Sequence, residues 1–147
     1  MHIKNKCIIF AKVFENKGMD RIKIMEAMDI IPEKVMDFCK LKFGEGKHPK
    51  IHFIFDKRYK KRFAEYRIGT IVLFANNIPT IKSLVGSIIH EYVHHLQLNH
   101  WKKMENYFTL LNEFGYEDHP QEKEAVDITK YYTKECVEYL KSLGYLK

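Results

Sequence analysis

Nowhere does the chain hold the roughly 20 consecutive apolar residues that a membrane helix needs. The apolar run nearest the N-terminus, Cys7 to Ala11, is closely bracketed by Lys4, Lys6 and Lys12. It is too short for the apolar region and cleavage site of a signal peptide. A protein in solution with no membrane span is therefore expected. Cysteine is scarce as well. Cys7, Cys39 and Cys136 are odd in number and widely spaced, which excludes a disulfide framework or a cysteine-based zinc site. They read as reduced core thiols of a cytoplasmic protein. Internal repeats, low-complexity segments and linkers are missing too. The 147 residues suit one domain with one core. Acidic residues are outnumbered, 19 against 25 basic ones, for a net charge of +6. Most of the excess is lysine scattered along the chain; the one dense cluster runs from Lys57 to Arg62 between two strand-like segments. A solvated hairpin tip accounts for it. An electrostatic docking patch is the other reading, but nucleic acid is not the expected partner.

What is present is globular: 46% hydrophobic and 30% charged residues, a balance that supports a core rather than disorder. Cys7 to Phe14 reads as a strand, followed by a turn at Asn16-Lys17-Gly18, and Asp20 to Met28 looks helical. Pro32 opens a helix with Val35, Met36, Cys39 and Phe43 apolar and a stop at Gly44. Ile51 to Phe55 and Arg67 to Phe74 are β-rich and read as a long-looped pair of strands. Helical patterns follow to the end. Thr80 is a good N-cap after Pro79. Apolar residues at 81, 84, 85, 88, 89, 92, 93 and 96 form one stripe of an amphipathic helix. A second helical stretch carries Trp101, Met104, Tyr107, Phe108, Leu111 and Phe114 and ends at Gly115. The last helix has Pro120 at its first position. Ala125, Ile128, Tyr132, Cys136, Tyr139 and Leu143 are expected on one face of it.

The chemistry lies in His90-Glu91-Tyr92-Val93-His94. Two histidines four residues apart on a helix stand one turn above each other, so both imidazoles reach one ion. A catalytic zinc takes three protein ligands and keeps the fourth position open. Glu91, beside the first histidine, is placed to accept a proton from water there. By chance, this composition and length would yield about 0.04 such pentads. At about 100° per residue, His90 and His94 lie near 180° and 220° from Ile81, opposite the apolar stripe. Ser83, Gln97 and Trp101 share that face, which points to a cleft or to solvent.

Two residues qualify as third ligand, His100 and Glu124. His100 completes His-Glu-x-x-His-x-x-Gln-x-x-His, which resembles the long zinc motif of the metzincin peptidases. Those have glycine, for a sharp turn, where this chain has Gln97. If the helix continues, His100 lies about 9 Å further along the axis and cannot share the ion. Glu124 sits in His119-Pro120-Gln121-Glu122-Lys123-Glu124-Ala125-Val126-Asp127. As an acidic residue in a first helical turn it would also suit the macrodipole. From Ser83 to Asp127 the chain resembles the gluzincin peptidases, whose third ligand is a glutamate on a later helix, and within them the minigluzincins. That resemblance implies zinc held by His90, His94 and Glu124, with Glu122 the nearest rival and Glu91 as general base. It also implies a zincin-like α+β fold. A small, mostly antiparallel sheet would pack on the active-site helix, with a second helix bearing the glutamate. The implied activity is zinc-dependent hydrolysis of a peptide or protein substrate.

Lesser candidates follow. Tyr131 is a candidate oxyanion donor, although core packing also explains it. Asp127 can orient a ligating histidine or simply be an exposed carboxylate. Gly69 to Leu73 reads either as the edge strand on which an extended substrate is laid or as a plain core strand. The apolar tail beyond Gly144 either folds back into a groove and makes the enzyme latent or frays. A latent or structural zinc-binding module with a regulatory role is the alternative to a peptidase.

Overall fold

The computed structural model describes residues 28, 30–44, 46–55, 62–99 and 107–146. In chain order its elements are α1 (Ile31–Phe43), β1 (Lys50–Ile54), β2 (Ala64–Arg67), β3 (Thr70–Phe74), α2 (Ile81–Asn99), α3 (Tyr107–Phe114) and α4 (Pro120–Ser142). The class is α+β, with four helices and one three-stranded sheet among the described residues. The strand and helix expected before Met28, the basic run Lys57 to Lys61, and Trp101 and Met104 lie outside them.

The sheet departs from the expected mostly antiparallel arrangement. Its order is β1-β3-β2, with β1 and β3 parallel and β2 and β3 antiparallel. The cause is a two-residue turn inside the segment that reads as one strand. Gly69 adopts a φ of 78°, where a side chain would be strained. Arg67 pairs with Thr70 across this turn. The chain thus reverses between β2 and β3, and β3 re-enters in the direction of β1. The Tyr66 hydroxyl accepts the Gly69 N–H at 2.7 Å. β3 is the central strand and is buried from Ile71 to Phe74; β1 and β2 are the edges. Of the two readings of Gly69 to Leu73, the plain core strand is the one observed.

The helix ends match their local chemistry. Gly44 closes α1 with a φ of 100°, and Gly115 follows α3 with a φ of 74°. Ahead of α2, Thr80 Oγ1 accepts the Ser83 N–H at 3.0 Å, relieving one of the donors left over at a helix start. Replacing Thr80 with alanine is expected to cost about 1 kcal/mol. Urea denaturation of the metal-free protein would read this as a lower midpoint with an unchanged slope. No change in midpoint would mean the cap contributes nothing.

α2 is the centre of the fold. Of the expected stripe, Leu84, Val85, Ile88, Ile89, Tyr92, Val93 and Leu96 are buried, and Ile81 is partly buried. All of the buried ones but Val93 share one core cluster with α1, with Ile71 and Leu73 of β3, and with Cys136 and Leu140 of α4. α2 packs most extensively on α4, and this contact changes the expected phase of α4. Its buried stripe is Glu122, Ala125, Thr133, Cys136 and Leu140. Ile128, Tyr132 and Tyr139 are only partly covered, and Leu143 is exposed. Close approach explains the difference. A Cβ built on Gly86 of α2 would lie 3.5 Å from Thr133 and 3.6 Å from Thr129. The helices meet through small residues that hydrophobicity does not flag.

The C-terminal tail returns to α1. The Lys34 ammonium lies 5.5 Å from the centre of the Tyr145 ring, and Leu146 packs on the core. Among the described tail residues, none lines the cleft described below. Among the described residues no helix is long and apolar enough to cross a membrane.

Candidate metal centre

His90 and His94 project from α2 toward the first turn of α4, with ring centroids 4.9 Å apart. His119 sets that turn: its Nδ1 accepts the Gln121 N–H at 3.1 Å, and Pro120 follows with its φ already helical. The third residue of the helix, Glu122, then carries its carboxylate to both histidines. Its Oε2 is 3.3 Å from His90 Nε2 and 3.2 Å from His94 Nε2. The two Nε2 atoms are 3.2 Å apart.

These separations bear on whether the set suits a metal. Ligand bonds of about 2.0–2.1 Å in a tetrahedron put donor atoms about 3.3 Å apart along each edge. The three observed edges match that spacing. Two imidazoles and one carboxylate also form a donor set of the kind found at catalytic zinc sites. The residues present fit the ion. The group His90, His94 and Glu122 is the one set of metal-capable side chains found among the described residues.

Glu124, the expected third donor, is placed elsewhere. Two residues apart on a helix means about 200° of rotation, so Glu122 and Glu124 cannot face the same partners. With Glu122 on the histidines, Glu124 accepts from Gln97 Nε2 at 3.0 Å. The rival, Glu122, holds the position by the histidines. α2 continues unbroken to Asn99, which agrees with a helix that does not turn at Gln97; His100 itself lies outside the described residues.

Glu91 is buried beside this group. It lines both a cleft of about 840 Å³ and a smaller groove of about 360 Å³. Burial raises its pKa; the two histidines work against that rise, and Glu122 adds to it. Burial works against protonation of His94. The Glu122 hydrogen bond and the Glu91 and Glu122 charges outweigh it and hold the imidazole above its ordinary pKa. The charges of this site are thus mutually dependent.

The larger cleft is bounded by Arg62, by Glu65, Tyr66 and Arg67 of β2, and by Leu98, Phe108 and Tyr116. Glu65 accepts from Arg62 Nη1 at 2.7 Å and pairs with Arg67. Ser83, Gly86, Ser87 and Thr129 line the smaller groove. Behind the edge strand, the Tyr66 hydroxyl and His95 Nδ1 are 2.9 Å apart, and His95 Nε2 donates to the Lys47 carbonyl at 2.8 Å. The first contact ties β2 to α2, and the second ties α2 to the segment ahead of β1.

Of the lesser candidates, Tyr131 is 74% exposed against the Tyr132 ring, away from the cleft. Asp127 is exposed on α4. Tyr116, together with Tyr66 of β2, does line the cleft. Partial burial, then the Glu122 and Glu91 carboxylates, push its hydroxyl up to about 12. Nothing in its loop sequence marks it; it is recognised only once α3 and α4 are in place. Gln97 is the other residue whose role escapes sequence reading. It is fully buried, and its Oε1 accepts from His94 Nδ1 at 2.8 Å.

Compared with family models, with curated proteins and with solved structures, the chain matches none.

Proposed function

We propose that the protein is a zinc-dependent peptidase, with His90, His94 and Glu122 as the metal ligands and Glu91 as the general base. The observation that carries this reading is the tetrahedral-edge spacing of three donor atoms beside a buried carboxylate that opens on the cleft. Zinc, when bound, supplies a Lewis acid that brings the pKa of water to about 7 and polarises a carbonyl. Glu91 accepts the proton of the attacking water and returns it to the leaving amine. Tyr116 keeps its proton at neutral pH and is available to donate to the oxygen on which charge develops.

An extended polypeptide is the substrate best suited to the cleft. Glu91 lines two cavities, and residues of the edge strand β2 line them too. Backbone pairing to such an edge holds a chain without demanding one sequence. We further propose a reducing compartment, the cytoplasm, because Cys39 and Cys136 are free and buried, and burial raises both thiol pKa values. Such thiols are inert packing groups.

Metal stoichiometry tests the reading. Protein stripped with a chelator and returned to zinc is expected to hold one ion per chain. His90→Ala, His94→Ala or Glu122→Ala is expected to lose it while keeping a helical spectrum. A wild type that takes up no zinc overturns the proposal. Zinc uptake without hydrolysis of any unfolded protein substrate would favour the structural or regulatory module instead.

A further inference from the structure

The smaller groove and the larger cleft follow one another in the same order along two elements. From Phe63 into β2, Phe63 lines the groove, Ala64 lines both cavities, and Glu65 to Ile68 line the cleft. Along α2, Gly86 and Ser87 line the groove, Glu91 lines both, and Leu98 lines the cleft. A single path therefore runs from groove to cleft past Glu91, and its two ends differ in chemistry. Gly86, Ser83, Ser87 and Thr129 give the groove small or hydroxyl-bearing walls, and its volume of about 360 Å³ is less than half the 840 Å³ of the cleft. At the other end Leu98 is joined by Ile68, 89% exposed, and Phe108, 76% exposed. Large exposed apolar groups gathered in one groove mark a binding surface. The charges nearby are paired with one another, since Glu65 accepts from both Arg62 and Arg67.

We propose that these ends are two substrate subsites of opposite size. An extended polypeptide sets a large apolar side chain against Ile68, Leu98 and Phe108, and a small one in the groove walled by Gly86, Ser87 and Thr129. The inference rests on the function proposed above and names its substrate class. Gly86 and Leu98 each stand six residues from Tyr92, midway between the two histidines, which is about 9 Å along the helix axis. An extended chain covers that distance in about three residues. Antiparallel pairing is the more stable arrangement at a strand edge, and it sets the direction. A chain antiparallel to β2 enters beside Ile68 and leaves beside Phe63. The large apolar residue thus falls about three positions before the broken bond, and the small one about three after it.

Cleavage-site profiling is the test. Zinc-loaded protein digests a mixture of denatured protein fragments, and mass spectrometry reads which bonds are broken. Leucine, phenylalanine and methionine are expected to be enriched about three positions before the bond, and glycine, alanine and serine about three after it. Phe108→Ala is expected to lower the apolar preference about tenfold, the low end of what a lost apolar contact is worth in a pocket. Ile68→Ser is a second probe of the same wall, and both positions are exposed, where substitution costs the fold little. Thr129→Ala widens the groove and is expected to admit larger side chains there. The reverse order of preferences overturns the proposal. So does an apolar preference unmoved by Phe108→Ala, or a small-residue preference unmoved by Thr129→Ala. A binding measurement keeps the peptidase reading separate. Glu91→Gln protein supplied with zinc is titrated with a fluorescein-labelled peptide carrying phenylalanine three positions before its centre and alanine three after. It is expected to bind this peptide about tenfold tighter than one with the two exchanged, and Phe108→Ala to remove the difference. That result without hydrolysis by the wild type leaves the subsites standing and removes the peptidase reading. Hydrolysis with equal binding of the two peptides overturns the subsites alone, and equal binding without hydrolysis overturns both.

Discussion

Glu91→Gln is expected to leave zinc content unchanged and to reduce peptide hydrolysis by at least about 100-fold, the lower range of what general-base catalysis contributes. Glutamine keeps the size and hydrogen-bonding reach of glutamate but has no basic oxygen. Stability of the metal-free protein should not fall. The carboxyl sits where burial raises its pKa, so the folded state favours the neutral form, which glutamine mimics. Zinc content, hydrolysis of an unfolded protein and thermal midpoint, measured on one preparation, separate the possibilities. Loss of zinc with the carboxylate would make Glu91 a ligand. Hydrolysis at the wild-type rate would assign the base to another residue.

Ile88→Ala is expected to destabilise the protein by about 2–5 kcal/mol, since the lost methylene groups leave a cavity that neighbours fill only partly. Ile88 has no exposed surface and belongs to the core formed by α1, α2, β3 and α4. A typical domain has only about 5–15 kcal/mol in total, so this one change would consume a large fraction of it. The measurement is urea denaturation of metal-free protein, because a bound ion would add its own stabilisation. Val126→Ala, at a position 39% exposed, serves as the control and should stay within about 0.5 kcal/mol. Similar small effects at both positions would mean that α2 does not occupy the core.

Much of α2 was legible because its signal is local. The Thr80 cap, the apolar spacing from Leu84 to Leu96 and the start of α4 at Pro120 each depend on near neighbours in the chain. The sheet was less so. Ala64-Glu65-Tyr66-Arg67 is short and half polar, and the break at Ile68-Gly69 hides within a β-rich run. The phase of α4 was misread for a different reason. Its face toward α2 carries Thr129 and Thr133 where Gly86 lets the helices close, so the most apolar face is not the most buried one. That shift separates Glu122 from Glu124.

By itself the sequence determined the donor types: two histidines one turn apart, a carboxylate between them, and an acidic first turn on a later helix. Helical periodicity suffices for that, because residues three or four apart share a face whatever surrounds them. Which carboxylate completes the set was decided only by how α4 docks on α2. So were the cleft-lining place of Tyr116, the edge position of β2 and the orientation of Gln97. Each depends on groups far apart in the chain meeting at hydrogen-bonding distance, and nothing local in the sequence specifies those distances.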